Sequence, residues 1–289
     1  MVKILVTGSA GQVGWELQRA KPEGVTLLAM SRAELDITDR AQVAAVIAEA
    51  RPDWVINASA YTAVDKAESE PELAAAINAE GAGNLAEAAR EQGARLVQIS
   101  TDFIFDGSHS TPYQSSDSTR PLGVYGATKL AGEQQVQSVF GDDALIIRTA
   151  WVYSAHGHNF VKTMLRLMAE RDTLSVVQDQ VGTPTWAAEL ARVIYLAIAQ
   201  SCRGVFNWTD AGVASWYDFA VAIEQLGREA GLLSRPTGIY PIPASAYPTP
   251  ATRPAYSVLD KDSLREAINY TGLHWRVALE QMLKEVQHG

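Results

Sequence analysis

Two periodicities of apolar and polar positions alternate along the first half of the chain. Short apolar runs rich in β-branched residues predict buried strands. Longer segments with apolar residues three and four positions apart predict helices. The predicted strands cover residues 2–7, 25–30, 54–57, 96–100 and 145–149, and the predicted helices cover 12–20, 40–50, 71–92 and 126–140. Strands that alternate with helices indicate a parallel sheet with right-handed crossovers and helices on both faces.

The alternation loosens beyond residue 150. Helical spacing recurs at 160–169, 186–200, 215–229 and 275–286, a strand pattern stands at 204–208, and five prolines predict an extended loop over 239–254. The predicted fold class is α/β, a Rossmann-type doubly wound parallel sheet with a smaller C-terminal lobe. We place the Rossmann domain at residues 1–150 and the lobe mainly at 151–289, with some segments of the second part returning to the first domain.

Composition and net charge limit the kinds of binding partner that we expect. The 289 residues are 47% hydrophobic, which suits a globular protein with a core, and 24 basic against 33 acidic residues give a net charge of −9. An acidic surface argues against a nucleic-acid partner. Apolar runs are far shorter than the roughly 20 residues of a membrane span, and Cys202 is the only cysteine. We therefore expect a cytoplasmic protein that binds neither nucleic acid nor membrane.

A glycine-rich turn follows the first predicted strand and opens the first predicted helix. Its glycines are Gly8, Gly11 and Gly14, and Gln12 and Val13 lie between the last two. Glycine permits a tight turn and lets a pyrophosphate approach backbone N–H groups at a helix N-terminus. The spacing is G-x-x-G-x-x-G rather than the common G-x-G-x-x-G. In this context the turn predicts a dinucleotide site, which makes residues 1–150 an NAD(P)-binding domain.

The end of the second strand selects between the two nicotinamide cofactors. A carboxylate there binds the adenosine ribose hydroxyls, whereas an arginine accommodates a 2′-phosphate. Arg32 favours NADPH, NADH stays open as the alternative, and Asp36 and Ile37 are candidates for the adenine side. After the third strand, small residues suit a close approach to the cofactor; they are Ala58, Ser59 and Ala60.

The predicted reaction centre combines residues after the fourth strand with a helical pair. Tyr125 and Lys129 stand four apart and share a helix face. A free phenol has a pKa of about 10, and a nearby ammonium lowers it, so the pair forms a general acid. Thr101 ends the fourth strand, where ligands of open parallel sheets bind, and its hydroxyl is placed to bond a substrate carbonyl oxygen.

These motifs resemble the dTDP-4-dehydrorhamnose reductase family within the extended short-chain dehydrogenase/reductase superfamily. The glycine turn and the Tyr/Lys pair mark the superfamily, and segments 61–68 and 253–257 point to the family. The matching segments are 11–18, 35–39, 61–68, 100–107, 125–133, 148–153, 179–185 and 253–257.

The resemblance implies NAD(P)H-dependent reduction of the 4-keto group of a dTDP-4-keto-6-deoxy sugar, dTDP-4-dehydrorhamnose, to dTDP-L-rhamnose. It assigns the catalytic roles to Thr101, Tyr125 and Lys129, with Tyr125 and Lys129 also contacting the cofactor. The implied substrate contacts are Thr62, Val64, Asp102, Phe103, Trp151, Asn159 and Arg253.

Two features qualify the resemblance. Phe103 stands where the family usually has tyrosine, so one hydroxyl contact is lost. Some family members dimerise around magnesium held by glutamates, and the matching residues here are Glu16, Glu189 and Glu285. Other members are monomers, so the resemblance leaves monomer and homodimer open, with magnesium as a candidate only in the dimer.

Two other functions fit parts of the pattern. A nucleotide-sugar epimerase or dehydratase shares the superfamily motifs, but a dehydratase needs an acid after the Thr-Asp pair, where Phe103 cannot donate a proton. A non-catalytic NADP-binding regulatory subunit would keep the cofactor turn without turnover.

Overall fold

The structure is a computed structural model that describes residues 2–288. The strands are β1 Val2–Thr7, β2 Val25–Met30, β3 Trp54–Asn57, β4 Arg95–Thr101, β5 Leu145–Thr149, β6 Val152–Tyr153, β7 Thr173–Val177, β8 Val181–Gly182, β9 Thr185–Trp186, β10 Gly204–Asn207, β11 Ala214–Ser215 and β12 Gly238–Ile242. The helices are α1 Gln12–Arg19, α2 Arg40–Ala50, α3 Val64–Ala67, α4 Pro71–Ala75, α5 Gly81–Glu91, α6 Val124–Phe140, α7 Phe160–Glu170, α8 Ala187–Ala199, α9 Trp216–Glu229, α10 Asp262–Ile268 and α11 Trp275–His288. None of the helices in this range is long and apolar enough to cross a membrane.

Six parallel strands form the central sheet, in the order β10-β5-β4-β3-β1-β2. The chain runs from β1 to the edge strand β2 and then returns to the other side of β1, so the order reverses between β1 and β3. Ligands of doubly wound sheets bind beyond the carboxyl ends of the strands at such a reversal point. The predicted α/β fold with a parallel Rossmann-type sheet is confirmed.

Alternate residues of each strand face two separate cores, as expected for strands buried on both sides. Leu5 faces the core formed with α2, α5 and α6. Ile4 and Val6 face the core formed with α1, α8 and α10. This double burial explains why the strand sequences read as continuous apolar runs.

A third core belongs to the C-terminal part and is formed largely by α7, α9 and α11. Helix α8 and strand β10 instead pack into the central sheet and its cores, so the chain passes between the two regions more than once. The boundary near residue 150 between a cofactor-binding domain and a substrate-binding lobe stays a prediction.

The proline-rich stretch differs from its prediction as a loop, because its first residues form β12. This strand pairs in parallel with β7, and Pro241 lies opposite Val176. The two strands form a sheet of their own. Proline lacks an N–H group but is tolerated at a sheet edge.

The predicted helix over 71–92 is divided by a π-helical turn, Ala76–Glu80. Such turns often lie at functional sites. Here the turn presents Asn78, whose amide bonds both the N–H and the carbonyl of Tyr61 at 2.8 and 3.1 Å. The same amide donates to the Thr128 hydroxyl on α6 at 3.1 Å. Asn78 therefore ties the π turn to the helix that carries the predicted catalytic pair.

Gly132 is the point of closest approach between these elements. A Cβ atom at this position would lie 2.1 Å from the Asn78 carbonyl oxygen, a backbone atom that cannot move cheaply. Gly132→Ala is therefore expected to lower the free energy of unfolding by about 1–3 kcal/mol, as overpacking does. Chemical denaturation measures the change.

The matched control is Gly83→Ala on α5. Its Cβ would meet only the Gln135 side chain, at 3.4 Å or more, and alanine favours a helix by about 0.5–1 kcal/mol over glycine. We expect this variant to equal or exceed the parent in stability. A Gly132→Ala variant as stable as the Gly83→Ala control would contradict the close approach.

Candidate active site

The glycine turn has the backbone geometry that a dinucleotide site requires. Gly8 has a positive φ of 68°, and a Cβ atom there would lie 2.8 Å from the backbone of Ala58 and Ser59. At Gly14 a Cβ atom would lie 2.3 Å from the Gly8 carbonyl oxygen. Gly11 caps α1 without a side-chain hydrogen bond, which leaves the first N–H groups of the helix to an anion. The turn fits a pyrophosphate.

The end of β2 lies beside this turn, since the Ser9 N–H donates to the Met30 carbonyl at 3.1 Å. Arg32 extends into solvent, with Nε 3.9 Å from an Asp36 carboxylate oxygen. That carboxylate also accepts hydrogen bonds from the N–H and hydroxyl of Thr38 at 3.0 and 2.8 Å, which hold its pKa below the usual range. The Ile37 side chain is buried in the core. Of the three cofactor candidates here, Arg32 is the one free to reach a ligand phosphate.

A buried row of polar side chains joins the carboxyl ends of β1 and β3 to the middle of the neighbouring strand β4. The Thr7 hydroxyl donates to Asn57 Oδ1 at 3.0 Å, and Asn57 Nδ2 donates to Gln98 Oε1 at 2.8 Å. Asn57 Oδ1 also accepts from the Ser59 N–H at 3.1 Å, and Gln98 Nε2 donates to the Ile99 carbonyl at 3.0 Å. We call these three side chains the strand-end row.

The strand-end row was missed in the sequence, although a signal was present. Thr7 and Asn57 are the polar last residues of β1 and β3, and Gln98 is a polar residue between the apolar residues Val97 and Ile99 of β4. Register places Thr7 opposite Asn57 and Asn57 opposite Gln98. The row reaches the predicted reaction centre, because the Ile99 carbonyl also accepts from Lys129 Nζ at 2.7 Å.

The predicted catalytic residues lie together at the end of β4 and the start of α6. The Thr101 hydroxyl donates to Asp102 Oδ1 at 3.1 Å and accepts from the Phe103 N–H at 3.2 Å. The Phe103 ring meets the Tyr125 ring edge-on, with centroids 5.5 Å apart. Gly126 permits this approach, since a Cβ atom there would lie 2.1 Å from the Phe103 carbonyl oxygen.

Burial dominates the electrostatics of this centre. It raises the pKa of Tyr125 to about 12, against the opposing effect of a hydrogen bond with Thr101. It lowers the pKa of Lys129 to about 8, although the Glu133 carboxylate acts in the opposite direction. The expectation that Lys129 lowers the Tyr125 pKa is wrong in this structure: the ammonium bonds the Ile99 carbonyl, and burial keeps the phenol protonated.

Asp102 is a buried acidic residue of the site. It is 1% exposed, and its Oδ2 atom has no hydrogen-bond partner within the described residues. Burial raises the pKa of this carboxyl group to about 6, while the hydroxyl groups of Ser257 and Thr101 oppose the shift. A buried unpaired polar atom is costly, so Asp102 is well suited to accept a hydrogen bond from a ligand.

The other predicted substrate residues divide into two groups. Trp151 lies next to Gly182, in the same cluster as Ser257. Thr62 and Val64 lie at the start of α3, next to Asp65, which binds the Arg253 guanidinium in bidentate fashion at 2.8 and 2.9 Å.

Asn159 has different partners from those expected of a substrate contact. It caps α7 by accepting from the Lys162 N–H at 3.1 Å, and its amide donates to Gln12 Oε1 at 2.9 Å and to the Ser154 carbonyl at 2.7 Å. Asn159 thus contacts the cofactor turn, and its role in substrate binding stays a prediction.

The three glutamates proposed for magnesium do not converge. Arg19 bonds both Glu16, at 3.2 Å, and Glu285, at 2.8 Å. Glu189 instead accepts from the Tyr270 hydroxyl at 2.5 Å. Within residues 2–288 no three acidic, histidine or cysteine side chains are grouped to hold a metal ion. An arginine occupies the position between two of the carboxylates.

The raised pKa of Asp102 predicts a specific pH dependence of stability. The folded pKa of about 6 exceeds the reference value of 3.8, so the contribution of this group is present below the reference value and is lost as pH rises through about 6. Relative to Asp102→Asn, which cannot ionise, the parent chain should lose about 3 kcal/mol between about pH 3 and about pH 7. Urea denaturation of both proteins measures this difference, and parallel pH curves would contradict the prediction.

The chain is similar to known proteins over nearly its whole length. The family model described as RmlD substrate binding domain matches residues 2–288. A dTDP-4-dehydrorhamnose reductase of Streptomyces griseus is 44% identical over 283 residues, covering 96% of this chain and 91% of the relative. A dTDP-4-keto-6-deoxy-D-glucose reductase of Streptomyces niveus is 41% identical over 280 residues, covering 96% of this chain and 95% of the relative.

A solved structure extends the likeness to the whole fold. The crystal structure of dTDP-4-dehydrorhamnose reductase from Bacillus anthracis in complex with NADP has a TM-score of 0.92 at 38% identity, covering 99% of this chain and 100% of that chain. The family resemblance inferred from the motifs is confirmed. With a match over residues 2–288, this chain belongs to the RmlD substrate binding domain family.

Proposed function

We propose that this chain is an NADPH-dependent oxidoreductase that reduces the 4-keto group of dTDP-4-dehydrorhamnose to give dTDP-L-rhamnose. The observation that carries the proposal is the grouping of Thr101, Tyr125 and Lys129 at the sheet edge that also holds the glycine turn. Relatives named for this reaction and a neighbour that binds NADP support it.

The glycine turn would hold the pyrophosphate of the cofactor, and Arg32 would bind the phosphate on its adenosine. Bound NADPH supplies a hydride to the ketone carbon. The residues proposed to line its path are Gly8, Gly11, Gln12, Val13, Gly14, Arg32, Asp36, Ala58, Ser59, Ala60, Tyr125 and Lys129. The Ile37 side chain lies in the core and is not among them. The sugar nucleotide lies between this domain and the C-terminal lobe, against Thr62, Val64, Asp102, Phe103, Trp151 and Arg253.

Residues of this chain supply the proton that the reaction needs. Reduction of a ketone requires a proton on the new alkoxide, and Tyr125 holds one because burial raises its pKa to about 12. The Thr101 hydroxyl, beside the phenol, bonds the same substrate oxygen and fixes its position. Lys129, whose Nζ donates to the Ile99 carbonyl at 2.7 Å, would bind the cofactor next to the phenol. Asp102 accepts a hydrogen bond from the sugar through its unpaired oxygen.

The proposal leaves monomer and homodimer open. Magnesium stays a candidate only for a homodimer interface; within one chain Arg19 pairs with both Glu16 and Glu285. Phe103 at the position of a dehydratase acid favours simple reduction over water loss.

The decisive experiment follows NADPH oxidation with dTDP-4-dehydrorhamnose and reads the product stereochemistry by NMR. A parallel assay with dTDP-4-keto-6-deoxy-D-glucose tests the second candidate, which the Streptomyces niveus relative favours. Turnover of the second sugar alone would move the assignment to that reductase class. Tight NADP binding with no turnover of either sugar would indicate a regulatory subunit, and product formation without net NADPH oxidation would indicate an epimerase.

Tyr125→Phe tests the proton donor. We expect kcat to fall by about 10²–10⁴-fold, the range of general acid catalysis, while the Kd for NADPH changes little because the ring is kept. Steady-state kinetics and a fluorescence titration of NADPH measure the two effects. Tyr240→Phe, at a tyrosine that is 58% exposed, serves as the control, and a parent-like rate in Tyr125→Phe would remove that phenol from the mechanism.

Arg32→Ala tests the choice of cofactor. An arginine–phosphate hydrogen bond contributes about 1.5–3 kcal/mol, so the KM for NADPH should rise by about tenfold or more. The KM for NADH, which lacks the 2′-phosphate, should stay unchanged. Arg40→Ala removes another exposed arginine, paired with Glu87, as a control. Equal effects on both cofactors would show that Arg32 does not read the phosphate.

A further inference from the structure

Trp151 has a backbone conformation that is unfavourable for a tryptophan. Its φ is +48°, a region in which a bulky side chain is an outlier. Holding a residue there costs on the order of 1–3 kcal/mol and persists only where the surroundings enforce it. The residue directly follows the end of β5 and begins the turn into β6, at the sheet edge that carries the candidate site.

Three contacts hold this tryptophan in place. Its ring stacks on Trp216 with centroids 3.5 Å apart and an angle of 8° between the planes. Its carbonyl accepts a hydrogen bond from the Thr185 N–H at 3.2 Å. Two atoms of its ring lie 2.8 and 2.9 Å from where a Cβ atom of Gly182 would stand, so a side chain at 182 would collide with the indole.

Trp216 is itself firmly placed. It begins α9 directly after Ser215, whose side chain and that of Asp218 form a reciprocal capping box. Phe160 packs against its ring with centroids 4.7 Å apart. The two indoles thus form a stacked pair in which α9 supplies the fixed member.

The Trp151 ring is connected to the buried carboxyl group of Asp102 through Gly182 and Ser257. The Cβ position of Gly182 lies 3.0 Å from the Ser257 hydroxyl oxygen, and Ser257 is close enough to Asp102 to oppose the rise in the pKa of its carboxyl group. Trp151 remains half-buried despite its contacts. An aromatic face next to a hydrogen-bonding carboxylate is the combination that packs against a sugar or a base.

We propose that Trp216 is a positioning residue for sugar-nucleotide binding: it holds Trp151 in its strained conformation as one wall of the site, and the lack of a side chain at Gly182 leaves room for that ring. The inference rests on the proposed function only in taking the ligand to be a dTDP-sugar. Stacked aromatic pairs contribute about 0.5–1.5 kcal/mol beyond their buried area.

Trp216→Ala and Trp216→Phe test this role by separating the two substrates. In Trp216→Ala we expect the KM for the sugar nucleotide and the Kd for dTDP to rise by about 3- to 10-fold, with the KM for NADPH unchanged. Trp216→Phe keeps an aromatic face and should recover most of the affinity. A parent-like KM for the sugar and Kd for dTDP in a folded Trp216→Ala protein would overturn the proposal.

A spectroscopic measurement is independent of turnover. A stacked indole pair gives an exciton couplet in far-UV circular dichroism, which should vanish in Trp216→Phe and persist in Trp15→Phe. Saturating dTDP should perturb the couplet of the parent chain, since Trp151 lines the site. If the parent turns over neither sugar, calorimetric dTDP binding and the couplet still decide this inference, so its failure is distinct from that of the proposed function.

Gly182→Ala provides a second variant should Trp216→Ala fail to fold. Its methyl group displaces the Trp151 ring while Trp216 stays in place, and the same selective loss of dTDP and sugar affinity is expected. Gly83→Ala, whose new methyl makes ordinary contacts on α5, is the matched control. Equal effects of Gly182→Ala on sugar and NADPH affinity would show general damage and contradict the proposal.

Discussion

The hydrogen bonds of the strand-end row are the constraint on which the site depends. Thr7, Asn57 and Gln98 are almost fully buried, and a buried polar group left without a partner costs about 1–3 kcal/mol. A slip of one residue between β1, β3 and β4 would break the row and turn apolar side chains to the wrong face. The row therefore fixes the register that brings the glycine turn, Ser59 and the Ile99 carbonyl to one edge of the sheet.

The same burial that makes this row necessary also sets the chemistry of the reaction centre. Lys129 reaches the Ile99 carbonyl from α6, and α6 can approach because Gly126 and Gly132 carry no side chain. Loss of water keeps the Tyr125 phenol protonated and raises the pKa of Asp102. Protonated tyrosine is the form that reduction of a ketone consumes. The electrostatics thus follow from position in the fold more than from pairing between the catalytic side chains.

The sequence predicts the parts of this molecule that local pattern determines. The central strands can be predicted because burial on both faces of the sheet requires apolar runs. The glycine turn and Thr101 can be predicted because ligands of such sheets bind at the strand ends. Strand β12 was missed because Pro241 argues against a strand unless an edge position is known. The Asn159–Gln12 and Arg253–Asp65 contacts join residues 147 and 188 positions apart, and Trp216 has no motif around it. The direction of the Tyr125 pKa shift depends on burial, which spacing does not reveal.

These distant contacts share one arrangement: each reaches from the C-terminal part of the chain to an element of the cofactor domain. Asn159 contacts the glycine turn, and Arg253 contacts α3 beside the predicted substrate residues. The Arg253–Asp65 pair is partly exposed, at 23% and 41%, and exposed ion pairs add only about 0–1 kcal/mol to stability. The ion pair therefore matters for the orientation of Arg253 more than for stability, because a bidentate pair fixes the guanidinium plane. A ligand that contacts Arg253 meets a group already aligned with the domain that holds the hydride donor.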